Sequence, residues 1–224
     1  MKNKTYINKN AENSMNGTLV KNQLIFDYAS GSLGLSKSIF ASTYLYLNSQ
    51  AKELNNKFEN IMGENLFSNE DIPMSKLSYS DCIKNKSSLE KKQLIKDNSP
   101  IAKLVGPIEQ LNWKQVYKGF KEFTPKISDD DELKLIKMDP GSSVPLHSHG
   151  GKEYILVLSG SFCDEYGEYN KGDIQINDQK IKHTPIACKE EGCICLTITE
   201  KEVIFFGKYG SFLNLFTFIR SFFK

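Results

Sequence analysis

Arginine is almost missing from this chain: of 29 basic residues, only Arg220 is not a lysine. Bidentate recognition of guanine and phosphate leans on arginine, and the formal net charge is only +2, so direct nucleic-acid binding is not expected. Long apolar runs are missing too. The longest, such as Tyr154 to Leu158, reach about five residues where a membrane-spanning helix needs ~20. The first ten residues, MKNKTYINKN, are polar and lack the apolar core of a secretory signal, so a cytoplasmic protein without membrane contact is expected. The five cysteines (82, 163, 188, 193 and 195) are odd in number and lack an export signal, which argues for free or redox-active thiols over a disulfide framework. Histidine is the scarcest chemistry-bearing residue, with three in 224 residues, all between 147 and 183.

What is present divides the chain into zones. At 39% hydrophobic and 25% charged residues the composition is globular, and the length suits one large domain or two small ones. Residues 18–67 contain no proline. Their apolar residues recur at three- and four-residue steps: Leu24, Ile25 and Tyr28, then Leu35, Ile39, Phe40 and Leu47, then Leu54, Phe58, Ile61 and Met62. Ser30-Gly31-Ser32 and Asn48-Ser49 separate three helices, and apolar faces such as Ile39, Phe40 and Leu47 exceed what so small a bundle can bury alone. Residues 68–107 are polar, rich in Asn, Ser and Lys, and read as a linker in which Ser88 to Ile95 forms one short helix. Beyond residue 108 the period changes to two. LKLIKM (133–138), EYILVLSGSF (153–162), DIQIN (173–177), CICLTIT (193–199) and VIFF (203–206) alternate with Gly, Pro and Asp turns. The fold class is α+β: a helical bundle over 1–67, a linker over 68–107 and a β-barrel with a C-terminal helix over 108–224.

The histidines carry the chemistry. His147 and His149 stand at i, i+2, on one face of a strand, and are followed by Glu153 and later by His183. Three imidazoles and a carboxylate make a mixed nitrogen–oxygen site for one divalent first-row metal: zinc foremost, with iron or manganese as further candidates.

At these residues the sequence resembles the cupin superfamily. The motif G-x5-H-x-H-x3-E-x6-G is matched from Gly141 through His147, His149 and Glu153 to Gly160. A second motif, G-x5-P-x-G-x2-H-x3-N, is matched at Gly172 and His183 and departs at Asp178, Lys180 and Ala187. The hairpin VLSGSFCDEYG, HTP at 183–185, GCICL at 192–196 and the helical segment beginning FDYASGSL resemble the ChrR-like anti-sigma factors. The resemblance implies a cupin barrel (a double-stranded β-helix) behind a helical domain that binds an extracytoplasmic-function sigma factor. It further implies a regulator of transcription in the oxidative stress response, not an enzyme. One departure stands out. The family's helical domain holds zinc through His and Cys, and residues 1–81 contain neither, so that zinc site is absent here. A bundle can still dock a partner without it.

Other residues have competing readings. Cys193 and Cys195 face one side of a strand, either as core residues or as a redox pair with Cys188 as resolving thiol; the strand rise puts their sulfurs ~6–7 Å apart. Asp129 to Glu132 reads as a solvated turn, and Trp113 and Tyr117 as core or barrel-lid residues. The tail places Phe212, Leu215, Phe216, Ile219, Phe222 and Phe223 on one helical stripe, for packing on the barrel or a homodimer contact. The rival function is an iron-dependent dioxygenase-like cupin enzyme holding iron at the same ligands.

Overall fold

The computed structural model describes residues 17–67, 97–127, 131–207, 210 and 214. The expected helix at 88–95, Cys82, Asp129, Asp130 and nearly all of the aromatic tail lie outside the described residues. Three helices open the fold: α1 (17–29), α2 (Leu35–Leu47) and α3 (Ser49–Phe67). Gly31, at φ 71°, ends the first turn as the Ser-Gly-Ser signal predicts. Asn48 separates the other two: its Oδ1 accepts the Ala51 amide at 3.0 Å, capping α3. A short helix α4 (Pro100–Val105) has Ser99 as its cap, with the side chain accepting from the Ala102 amide, and Pro100 in its first turn. It lies inside the stretch read as linker.

Among the described residues ten strands follow: β1 (Lys114–Tyr117), β2 (Phe120–Phe123), β3 (Glu132–Met138), β4 (His147–His149), β5 (Glu153–Asp164), β6 (Gly167–Asn170), β7 (Ile174–Asn177), β8 (Ile186–Ala187), β9 (Cys193–Thr199) and β10 (Val203–Phe205). All pairings are antiparallel. The main sheet runs β1-β2-β3-β9-β5-β6 with β7 and β8 also on β5, and β4 pairs β10 in a separate ribbon. The fold is that of a cupin. Its pivot is β5, whose first half pairs β7 and whose second half pairs β6 and β8, with β9 along most of its other edge. Gly160 marks the change of course at φ 67°; a Cβ there would meet the Gly192 carbonyl oxygen at 2.1 Å, so only glycine fits.

Period-two alternation sends the two faces of these strands to different places. Tyr154, Leu156 and Leu158 of β5, Leu196 and Ile198 of β9, and Leu133 and Leu135 of β3 point outward. There they share one core with Leu24, Ile25, Phe40, Ala41, Tyr44 and Leu45 of the helices. Ile155 and Val157, Cys193 and Cys195, and Met138 point inward into a second core. The surplus apolar surface of the helices therefore has a partner within the chain. Phe40 is fully buried, edge-on to Tyr154 at 6.0 Å, and is not left for another protein. Fixed polar contacts accompany that packing. Lys37 Nζ reaches Glu200 at 2.9 Å and Asp131 at 3.1 Å, and Asn48 Nδ2 donates to the Gly172 carbonyl at 3.3 Å.

Candidate metal centre

The β4–β10 ribbon closes one end of the inner space. His147 and His149 project from the same face of β4, with Phe205 and Val203 opposite them. His183 is not in a regular strand, but it is held to His147 by reciprocal backbone bonds of 3.1 and 3.0 Å. Glu153 begins β5. The candidate ligand atoms of His147, His149, Glu153 and His183 all lie within 4.8 Å of one another, and all four residues are buried. The structure thus brings the four residues singled out from the sequence to one point.

Their hydrogen bonding fits a cation at that point. Glu153 Oε2 lies 2.9 Å from His149 Nε2 and 3.4 Å from His183 Nε2, yet neither nitrogen makes a hydrogen bond. The contacts are close but misaligned. A buried polar nitrogen without a partner costs roughly 1–3 kcal/mol, and convergence of several on one carboxylate is what metal ligation would satisfy. The Nδ1 atoms of His147 and His183 are occupied, whereas His149 Nδ1 is buried without a partner. His147 Nδ1 lies 2.9 Å from the Pro145 carbonyl and His183 Nδ1 lies 3.0 Å from Asp164 Oδ2, which leaves the Nε2 of these two rings for the centre.

The electrostatics agree. Burial holds His147 down at about 4, keeping it neutral. Burial alone would raise Glu153, but the His149 and His183 rings beside it hold its carboxyl well below the usual carboxylate range. His183 is raised to about 9, because Asp164 and Glu153 outweigh a burial effect that acts to lower it.

Sequence reading missed the residues around the ligands. Asp164 Oδ2 accepts from Gln175 Nε2 at 2.7 Å as well as meeting His183, and its Oδ1 accepts the Tyr166 amide at 2.8 Å. Asn177 Nδ2 donates to Glu153 Oε2 at 3.0 Å. Asp164 was visible as the acid of the CDEYG hairpin, but nothing in its spacing marked it as a partner of His183. Partners of this kind typically change metal affinity 10–100-fold. Asp164→Ala should therefore weaken metal binding by about that factor, read by competition against a chromophoric chelator; an unchanged affinity would remove Asp164 from the centre.

Beside the four residues lies a cavity of about 190 Å³. Tyr117 lies at it as a lid residue, stacked on Phe120 with ring centroids 4.9 Å apart and donating to the Ser143 carbonyl at 3.3 Å. Trp113 instead packs against the core shared with the helices. Cys195 lines the cavity, and Cys193 is buried next to it. Their sulfurs are 3.8 Å apart, which corrects the separation expected from strand rise: both side chains lean from the same pleat face toward each other. The contact with Cys193, then burial, pushes the Cys195 thiol well up, so it stays protonated. Cys188 lies in the loop before β9 and donates to Glu190 Oε2 at 3.0 Å.

Residues 102–202 match the ChrR cupin-like domain family. The chain is 26% identical over 201 residues to the anti-sigma-E factor ChrR of Cereibacter sphaeroides, spanning 87% of this chain and 92% of that protein. It also resembles the crystal structure of Rhodobacter sphaeroides SigE in complex with the anti-sigma ChrR, with a TM-score of 0.68 and 27% identity, over 80% of this chain and 96% of that one.

Proposed function

We propose that this chain, which is similar to the ChrR cupin-like family, is an anti-sigma factor that holds an extracytoplasmic-function sigma factor in the cytoplasm. In this reading the helices within 1–67 bind the sigma factor, 68–107 link, and the cupin within 108–224 senses a reactive small molecule such as a peroxide. The observation that carries it is the extent of the likeness, which runs through helices and cupin together to a chain solved with its sigma partner. Exposed apolar side chains remain on all three helices for such a partner: Phe26, Tyr46 and Ile61. The same four ligands would suit a dioxygenase, but a helical layer packed across the sheet's outer face favours a regulator. His147, His149, Glu153 and His183 would hold one divalent metal, zinc foremost, which supplies Lewis acidity at an open position.

Lys37 supports a route between the two parts. Burial alone would lower its pKa, but Glu200 and Asp131 hold it charged and above its ordinary value. Glu200 also accepts the Lys152 amide at 3.0 Å through Oε2, and its own amide donates to the Lys152 carbonyl at 3.0 Å. Lys152 adjoins Glu153. A change at Glu153 is thus two residues from a contact that seats α2, and ligand binding would shift the population of docked helices. Co-purification of the tagged full-length chain from its native cells tests the reading. A sigma factor should be recovered at one-to-one stoichiometry, and Lys37→Met should weaken its release by peroxide while costing about 1–2 kcal/mol of stability. Recovery of no sigma factor would overturn the anti-sigma reading, and unaltered release would overturn the route.

The thiols give a second test. Strand geometry puts the Cα atoms of residues 193 and 195 ~6.6 Å apart, near the upper limit for a disulfide. A buried thiol held protonated reacts slowly, so graded peroxide should oxidise Cys193 or Cys195 only at high dose, one peroxide turning a thiol into a sulfenic acid with loss of one water, and that sulfenic acid then condensing with Cys188 with loss of a second water. Mass spectrometry of the alkylated protein reads it. Thiols left reduced even at high dose would leave the pair, and Cys188 with it, without a redox role.

A further inference from the structure

The inward face of β9 carries sulfur that the histidine cluster does not use. Cys193 and Cys195 stand at i, i+2, both 3% exposed, with their sulfurs 3.8 Å apart. Met138 is the ladder partner of Cys193 across the β3–β9 pair, so its side chain leaves the sheet on the same face, and it shares their core. We propose that Cys193, Cys195 and Met138 form a second metal centre, for one soft monovalent ion, copper(I), separate from the histidines and independent of the anti-sigma reading.

Geometry and donor type select the ion. Metal–sulfur bonds of ~2.3 Å place two sulfurs on one ion about 3.8–4.0 Å apart at tetrahedral or trigonal angles, so the thiols already stand at a ligating separation. Zinc takes Cys, His and carboxylate in a closed set of four, whereas thiolate together with thioether selects copper(I). The neighbours in this core, Ile155, Val157, Phe162 and Ala187, offer no fourth donor, and Thr197, next on the same face of β9, turns its hydroxyl to the Lys134 carbonyl at 3.4 Å. Met138 and Cys195 line the cavity of about 190 Å³, which gives an ion its way in. The charged groups along that cavity do not oppose a cation: Lys134 is paired to Glu132 at 2.8 Å and lies 4.0 Å from Glu122, and Glu153 faces the histidines. On binding, one S–H bond breaks, one sulfur–copper bond forms and the proton passes to solvent, while the second thiol and the thioether donate lone pairs. The buried site stays neutral and copper keeps its oxidation state. Cys195 stands four residues along β9 from Thr199, the partner of Glu153, or roughly 13 Å by strand rise, so both centres can fill at once.

The test titrates the full-length, reduced, zinc-loaded chain with copper(I) in the absence of oxygen, against bicinchoninate as chromophoric competitor, with zinc measured on the same sample. One copper(I) per chain should survive the competition at unchanged zinc content, and X-ray absorption should show a shell of sulfur alone. Cys193→Ala and, separately, Cys195→Ala should each weaken binding at least a hundredfold. Met138→Leu should weaken it at least tenfold; it conserves volume and keeps both thiols, so it decides the matter where an alanine variant fails to fold. Cys82→Ser, Cys163→Ser and Cys188→Ser combined should bind as the parent does. Copper(I) that is not retained, that displaces zinc from the histidines, that shows a nitrogen or oxygen shell, or that binds Met138→Leu as tightly as the parent overturns the proposal. Loss of binding in the triple serine variant also overturns it, because the thiols responsible would lie elsewhere.

Discussion

Replacing both His147 and His149 with alanine should abolish stoichiometric metal and lower the melting temperature by about 10 °C. Metal at ~1,000 times its dissociation constant stabilises the folded state by about 4 kcal/mol, and in a chain of this size each kcal/mol moves the midpoint by ~2–4 °C. The loss should be confined to metal-replete conditions. In chelator the variant and the parent should melt within a few degrees of each other, since His149 is buried with neither ring nitrogen satisfied and His147 makes one backbone contact, so the pair contributes little without a cation. Metal analysis and scanning calorimetry on the same preparations check it. Full metal content in the double variant would show that these two residues are not ligands.

That site was legible because its information is local. A strand alternates with period two, so His147 and His149 had to share a face, and Glu153 follows after one tight turn. His183 was legible by its offset from Gly172. The five strands read from the sequence coincide with β3, β5, β7, β9 and β10 to within two residues at each end. Missed were β1, β2, β6 and β8, which are four residues or shorter; β4, three residues long, was read only as the strand bearing the histidines. Short edge strands carry too few residues to show a period. Asp164 was missed for a different reason: its role is a contact across 19 residues of chain, and no periodicity encodes a pairing partner. The helices were read correctly as three, with more apolar surface than the bundle can bury alone, and the outer face of β5 and β9 takes much of it. Continuous apolar runs in those strands, such as YILVL, were the available signal: both faces of a strand that reads apolar throughout must be covered.

Phe40→Ala should be the most damaging single substitution in the helices, at about 3–5 kcal/mol, because the ring is wholly enclosed between α2 and the sheet. The loss should appear in one cooperative transition that includes the cupin, because helices and strands share one core and cannot melt separately without exposing it. Chemical denaturation followed by far-ultraviolet circular dichroism and by the fluorescence of Trp113 reads both parts. Trp113, the only tryptophan, packs against that shared core, so it reports from the interface itself. A loss below 1 kcal/mol, or a helical transition that precedes the fluorescence change, would mean that the helices are only loosely attached.

Glu153 and Tyr154 are consecutive residues, one turned to the histidines and the other to Phe40 and Lys37. The four-residue cluster and the helical layer are therefore separated by one pleat, not by a chain of intermediaries. A tilt of β5 by a fraction of an ångström displaces both surfaces at once and in opposite senses, as the two arms of a rocker move about a single axle. How firmly the two surfaces move together depends on the stiffness of that one strand, which β7 and β9 brace from either edge.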